Sequence, residues 1–171
     1  MCRFNTERLL VKEWHSCSAD SVADQKLAQV VCVLLTPSVT QSLPERWQGN
    51  YTTERASQWI EERDGEGTTL LVLERLSGTP IGLMILFENN DDPRGRTVRL
   101  GYLLAESAWG KGLASELVRG FVEWCRTIDI ASIVGGVERD NIASQRVLEK
   151  NGFVLQQDKD DTAELFLELR F

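Results

Sequence analysis

The sequence predicts a mixed α/β domain organised on one sheet, and three observations carry that reading. Residues 98–118, VRLGYLLAESAWGKGLASELV, run from an apolar strand through a glycine-bearing turn straight into a helix. Beyond that helix, residues 131–137 form another strand-like run, and a helical connection makes it parallel to the first. Upstream, the pattern changes at Thr68 from helical spacing to short apolar runs separated by turn residues, as in an antiparallel meander.

Residues 7–14 read as the first strand, with Leu9, Val11 and Trp14 facing inward and the lone His15 just after it. Asp20 is placed to cap a helix carrying Val22, Leu27, Val30, Val31 and Leu34. Pro37 interrupts it, and Ser42-Leu43-Pro44 starts a short helical turn near Trp47. Thr52 or Thr53 precedes a second helix with Ala56, Trp59 and Ile60 on its apolar side, ended by Asp64-Gly65. Thr69–Glu74 and Ile81–Phe87 are strands joined by a turn at residues 77–80, and the polar turn at 89–95 leads into the fourth strand, Val98–Leu104. After a polar break at residues 105–108, Trp109-Gly110-Lys111-Gly112 opens a helix whose apolar face is Leu113, Leu117, Val118, Phe121, Val122 and Cys125. The fifth strand is Ala131–Val137, and Asp140 or Asn141 caps a last helix that stops at Asn151-Gly152. Phe153–Gln156 and Ala163–Leu169 close the chain as a hairpin-like pair around Asp158-Lys159-Asp160-Asp161. No repeat, linker or low-complexity stretch divides residues 1–171, which read as a single domain.

The 171 residues are 42% hydrophobic and 26% charged, the balance of a soluble globular chain. A net charge of −7 argues against a nucleic-acid partner and is compatible with cationic acceptors. Cys2, Cys17, Cys32 and Cys125 have no C-x-x-C spacing and His15 stands alone, so no metal site is expected. Scattered cysteines, no secretory leader and no apolar run near the roughly 20 residues of a membrane span point to a cytoplasmic protein without a membrane partner.

The strand–turn–helix junction exposes main-chain N–H groups at the positive end of a helix dipole, a cradle for phosphate or pyrophosphate. Gly110 and Gly112 let an anion approach the main chain, and Lys111 adds a mobile cation. The third glycine of a dinucleotide fingerprint would fall at Ser115, and no G-x-x-x-x-G-K-[ST] occurs, which sets aside those two nucleotide-binding classes.

The run GYLLAESAWGKGLASELV resembles the coenzyme A pyrophosphate loop of the GNAT superfamily of N-acetyltransferases, of the form [Q/R]-x-x-G-x-[G/A], with Trp109 at the first position, Gly112 at the fourth and Ala114 at the last. Trp followed by Gly-Lys-Gly is similar to the branch that includes the ribosomal-protein N-terminal acetyltransferases (RimJ/RimL-type). The stretches 6–14 and 137–153 are similar to that branch's opening strand and last helix, so the resemblance spans nearly the whole chain in the family's order. It implies a mostly antiparallel sheet of six to seven strands flanked by about four helices, with the parallel fourth and fifth strands splayed apart.

It further implies that pantetheine lies in the splay on main-chain groups of Leu103 and Leu104, with the pyrophosphate held by Trp109, Gly110, Lys111, Gly112, Leu113 and Ala114. Asn141 and Ser144, an Asn-x-x-Ser on one helix face, would hold the pantetheine arm and donate to the departing sulfur. Many relatives place a tyrosine where this chain has Leu148, and a basic glutamate where it has Arg99. A guanidinium cannot accept a proton, so Glu138 becomes the candidate base, with Glu88 and Glu106 behind it, and Arg99 a candidate for binding an anionic part of the acceptor. Residues 37–51 would help select that acceptor. The implied activity is transfer of acetyl from acetyl-CoA to a primary amine, a protein N-terminus or a small molecule, by a monomer or homodimer. A coenzyme A-binding sensor without turnover, or an enzyme for a different acyl group, are the alternatives.

Overall fold

The computed structural model describes residues 3–17, 21–156 and 163–171. Strands β1 (Arg3–Asn5) and β2 (Leu9–Glu13) are followed by helices α1 (Ser21–Leu34), α2 (Pro37–Thr40) and α3 (Thr53–Glu66). The meander is β3 (Thr68–Glu74), β4 (Pro80–Asn89) and β5 (Thr97–Leu104). Then come α4 (Leu113–Cys125), β6 (Ser132–Glu138), α5 (Ile142–Lys150), β7 (Val154–Leu155) and β8 (Glu164–Arg170). Among the described residues these strands form one eight-stranded sheet in the order β1-β2-β3-β4-β5-β6-β8-β7, with β5–β6 its parallel pair. The mixed, mostly antiparallel α/β architecture expected from the sequence is therefore present, with one strand and one helix more than expected.

The extra strand arises because the chain turns at residues 6–8. The Thr6 hydroxyl accepts the Leu9 amide at 3.0 Å, so the expected strand 7–14 becomes the β1–β2 hairpin. Trp14 leaves the sheet in a single 3-10 turn, and its indole and the His15 ring both reach the Asp64 carboxylate, at 3.0 and 2.8 Å. The extra helix is α2: Thr36 caps it by accepting the Val39 amide at 3.3 Å, so Pro37 begins a helical turn as well as ending α1. Helix α3 runs through Gly65 and ends at Gly67, where a Cβ would collide with the Leu86 carbonyl of β4. The proposed cap Asp20 and the turn Asp158–Asp161 lie outside the described residues.

Both faces of the sheet are covered, which explains the unbroken apolar runs of β3 and β4. Alternate residues Leu70, Val72, Met84, Leu86, Val98 and Leu100 pack against the face of α4 that carries Leu117 and Phe121. Leu71, Leu73, Leu83, Ile85 and Leu103 pack against Leu27, Val31 and Trp59 of α1 and α3. The apolar face read for α4 is buried along its length, with Leu117, Val118, Phe121 and Cys125 fully so. Each such large side chain contributes about 1.5–3 kcal/mol by leaving water. The end of β5 and the start of α4 are thereby held in place. Among the described residues no helix is long and apolar enough to cross a membrane.

Pairing of β5 with β6 stops at Leu100↔Gly135. Beyond it β5 continues against β4 as far as Leu104, and β6 against β8 as far as Glu138. The parallel strands part there.

Candidate active site

Helix α4 begins without a side-chain cap, because its N-cap residue is Gly112. Gly110 and Gly112 both lie in the left-handed region, at φ 69° and 74°, where an L side chain costs about 1–2 kcal/mol. Glycine thus shapes the turn and leaves the first N–H groups of α4 clear of any side-chain cap. Trp109 is half exposed, and its indole N–H donates to the Leu104 carbonyl at 2.8 Å, which fastens the loop to the end of β5. Leu113 is buried in the core and Ala114 packs against it, so these two can offer a ligand only main-chain groups. Lys111 is exposed.

The cradle has a support that the local sequence pattern does not announce. Glu116, in the first turn of α4, is only 4% exposed. It accepts the Thr6 hydroxyl at 2.5 Å, the Arg8 amide at 2.8 Å and Arg8 Nε at 2.6 Å. Burial pushes its carboxyl upward, but these donors outweigh burial and hold it below the ordinary value of 4.5. Its position three residues after Leu113 and one before Leu117 was the available signal, a glutamate on the apolar face of an amphipathic helix.

In the parting of β5 and β6 the main-chain alternation decides which groups face the gap. The Ala105 amide donates to the Ile81 carbonyl at 2.8 Å, and the Arg96 carbonyl accepts from Ala131 at 2.8 Å on the other side. Odd-numbered residues of β5 therefore turn their main-chain groups to β4 and even-numbered ones toward β6. The Leu104 main chain faces the gap, whereas the Leu103 main chain faces β4; the gap-facing partner of Leu104 is Tyr102. The side chains of Leu103 and Leu104 pack in the two cores on opposite faces.

Tyr102 brings more than its backbone. Its phenol lies 2.8 Å from Ser144 Oγ of α5, and burial pushes its pKa up while the Ser144 contact pulls it down more weakly. Asn141 is the N-cap of α5, its Oδ1 accepting the Ser144 amide at 3.2 Å. Leu148 is 1% exposed and lies against Gly135, where a Cβ would sit 2.7 Å from it. The place of the relatives' tyrosine is thus core, and a phenol reaches Ser144 from the strand opposite.

The other face of the parting is polar. Ile133 and Val137 of β6 point into the α4 core, so Val134, Gly136 and Glu138 point to the α1–α3 side, with Glu168, Phe166 and Glu164 beside them in register on β8. The Glu164 carboxylate lies over Gly136, where a Cβ would collide with it, so a second carboxylate accompanies Glu138. Its placement depends on the β6–β8 register. The Arg99 guanidinium, exposed on this face, sits 5.4 Å from the Phe166 ring centroid. Glu88 is paired with Arg96 at 3.0 Å near the far end of β5, away from the parting, and Glu106 lies in the 3-10 turn before the cradle.

A cleft of about 550 Å³ opens between residues 41–48 and residues 138–143. Glu45, Glu138 and Asp140 line it, and among the described residues no lysine or arginine does. The connection expected to choose an acceptor therefore faces the candidate base and the N-terminus of α5.

Residues 20–154 match the family model of the acetyltransferase (GNAT) domain. A GNAT-family acetyltransferase from Bacillus anthracis superposes with a TM-score of 0.78 at 18% identity, covering 99% of this chain and 98% of that one. RimL, a ribosomal alpha-N-protein acetyltransferase in complex with coenzyme A, superposes at 0.74 with 18% identity over 99% and 98% of the two chains. A ribosomal-protein-alanine acetyltransferase from Vibrio fischeri gives 0.63 with 16% identity over 99% and 97%. At these identities the likeness to the solved structures is one of fold.

Proposed function

This chain belongs to the GNAT family of acetyltransferases, and from that premise we propose that it transfers acetyl from acetyl-CoA to a primary amine by direct attack in a ternary complex. The observation that carries this reading is the parting of β5 and β6 with a hydroxyl pair on one face and a carboxylate on the other. The residues fit acetyl-CoA: Gly110 to Leu113 offer main-chain donors for pyrophosphate, and the gap-facing groups of Tyr102 and Leu104 suit the pantetheine amides.

The acid–base roles follow from position. An amine arrives as ammonium and must lose a proton before its nitrogen can attack a thioester carbonyl. Glu138 borders the acid-lined cleft and serves as the acceptor of that proton, with Glu164 beside it. On the opposite face Ser144 donates to the departing sulfur. Either hydroxyl of the Tyr102–Ser144 pair can be the donor; in the proposed step it is Tyr102, whose phenol burial keeps protonated, which leaves the serine proton free to point into the gap.

Three carboxylates at the cleft, with no cation among the described residues that line it, favour a cationic acceptor, such as a protein α-amine or a small polyamine. Among the described residues, Cys125 is buried in the core and Cys32 lies on α1, neither at the parting, which supports direct transfer. The acid–base pair weighs against a binding-only sensor.

A single-turnover experiment tests the proposal. Protein loaded with acetyl-CoA labelled in the acetyl group is mixed with an amine. Label passing to the amine, with none held by the protein, is the expected result. Label retained on the protein refutes direct transfer, and label remaining on coenzyme A with every amine refutes the activity.

A further inference from the structure

Arg8 stands more than 100 residues from the loop in sequence, yet its guanidinium is built into the cradle. Its Nη1 donates to the Lys111 carbonyl at 2.9 Å and its Nε to Glu116 at 2.6 Å. Its Nη2 has no partner among the described residues and lies 3.7 Å from where a Gly112 Cβ would stand. The side chain is 47% exposed, whereas that of Glu116 is 5%. The arginine is thus anchored at its base and open at its tip.

We propose that Arg8, clasped by Glu116, is a positioning residue for the coenzyme A pyrophosphate, and that its Nη2 donates to a phosphate oxygen. The proposal rests on the reading of the cradle as a coenzyme A site. An unneutralised carboxylate in the first turn of α4 would repel the anion that the helix dipole attracts. Arg8 cancels that charge, and Lys111 then leaves the cradle with a net positive one. The local pattern hides this because Arg8 and Glu116 meet only after β1–β2 folds against α4.

The test compares donors with and without phosphates. Arg8→Lys keeps a cation against Glu116 but loses the fork; Arg8→Met loses both. Coenzyme A affinity is measured by titration calorimetry, and kcat/KM is measured with acetyl-CoA and with S-acetylpantetheine. The proposal expects the coenzyme A Kd to rise about tenfold in Arg8→Lys and more in Arg8→Met, one or more charge-assisted hydrogen bonds being lost. It expects kcat/KM with S-acetylpantetheine to stay within about twofold of wild type. A folded Arg8→Lys with unchanged Kd overturns it, as does an equal loss with both donors, which marks a purely structural role. Wild-type protein that binds no coenzyme A refutes the underlying site reading instead. If Arg8→Met does not fold, Arg8→Lys decides.

Discussion

Replacing Gly112 with valine separates the fold from the cradle. At φ 74° an L residue costs about 1–2 kcal/mol, against the roughly 5–15 kcal/mol by which folded domains are stable. Apart from the adjoining residues, the nearest atom to the new Cβ is Arg8 Nη2 at 3.7 Å, so the Cβ itself meets no collision. Scanning calorimetry should therefore show a folded protein with Tm lowered by about 2–8 °C. The valine methyl groups, however, occupy the mouth through which an anion must come within about 2.9 Å of the α4 amides. Losing two charge-assisted hydrogen bonds at about 1.5–3 kcal/mol each raises the coenzyme A Kd by at least about 100-fold. Gly78→Val is the control: Gly78 has φ 71° and no neighbour within 4 Å of its Cβ, but lies in the β3–β4 turn. It should lose similar stability and no affinity. A folded Gly112→Val that binds coenzyme A within about threefold of wild type would refute the cradle.

Tyr102→Phe keeps the ring and removes the phenol, and should lower kcat about tenfold or more with the acetyl-CoA KM unchanged. Combined with Ser144→Ala it should cost no more than Ser144→Ala alone, and additive losses would show independent roles. Glu138→Gln should lower kcat about 100-fold while leaving coenzyme A affinity intact; full activity in steady-state assays would remove it as the base. Arg99→Met should raise the acceptor KM strongly, and an unchanged KM disposes of that role. Glu116 has a folded pKa below its ordinary 4.5, so its ionised form stabilises the protein above about pH 4.5 and that contribution is lost as pH falls through the lower folded value. Glu116→Gln should then cost about 1–3 kcal/mol at pH 7, with a gap to wild type in denaturant melts that narrows below pH 4.5; a gap independent of pH would contradict the ion pair.

What the sequence made legible was local. Gly110, Gly112 and the periodic face from Leu113 to Cys125 announce the turn and helix without any other part of the chain, and of the two candidates read at each helix start, Thr52 or Thr53 and Asp140 or Asn141, the caps are Thr52 and Asn141. The parallel relation of β5 and β6 follows from a single helical crossover, and the expected splay is seen where their pairing ends. What escaped depends on distant partners. Thr6 and Arg8 bend the first strand into a hairpin around a buried glutamate 110 and 108 residues away. Tyr102 reads as a strand aromatic until α5 brings Ser144 to it, and Glu164 reads as a surface residue until register sets it over Gly136. The Leu103 expectation failed for a subtler reason: side-chain alternation is visible in sequence, whereas the direction of main-chain groups depends on which strand pairs on each side.

The most direct test of the central claim is thiol release from acetyl-CoA across a panel of amines: N-terminal peptides, polyamines, amino acids and aminoglycosides. The account predicts release that depends on an acceptor, is fastest for cationic amines, and falls in Glu138→Gln. Release no faster than the acceptor-free background with every amine, from protein that binds acetyl-CoA, would contradict it.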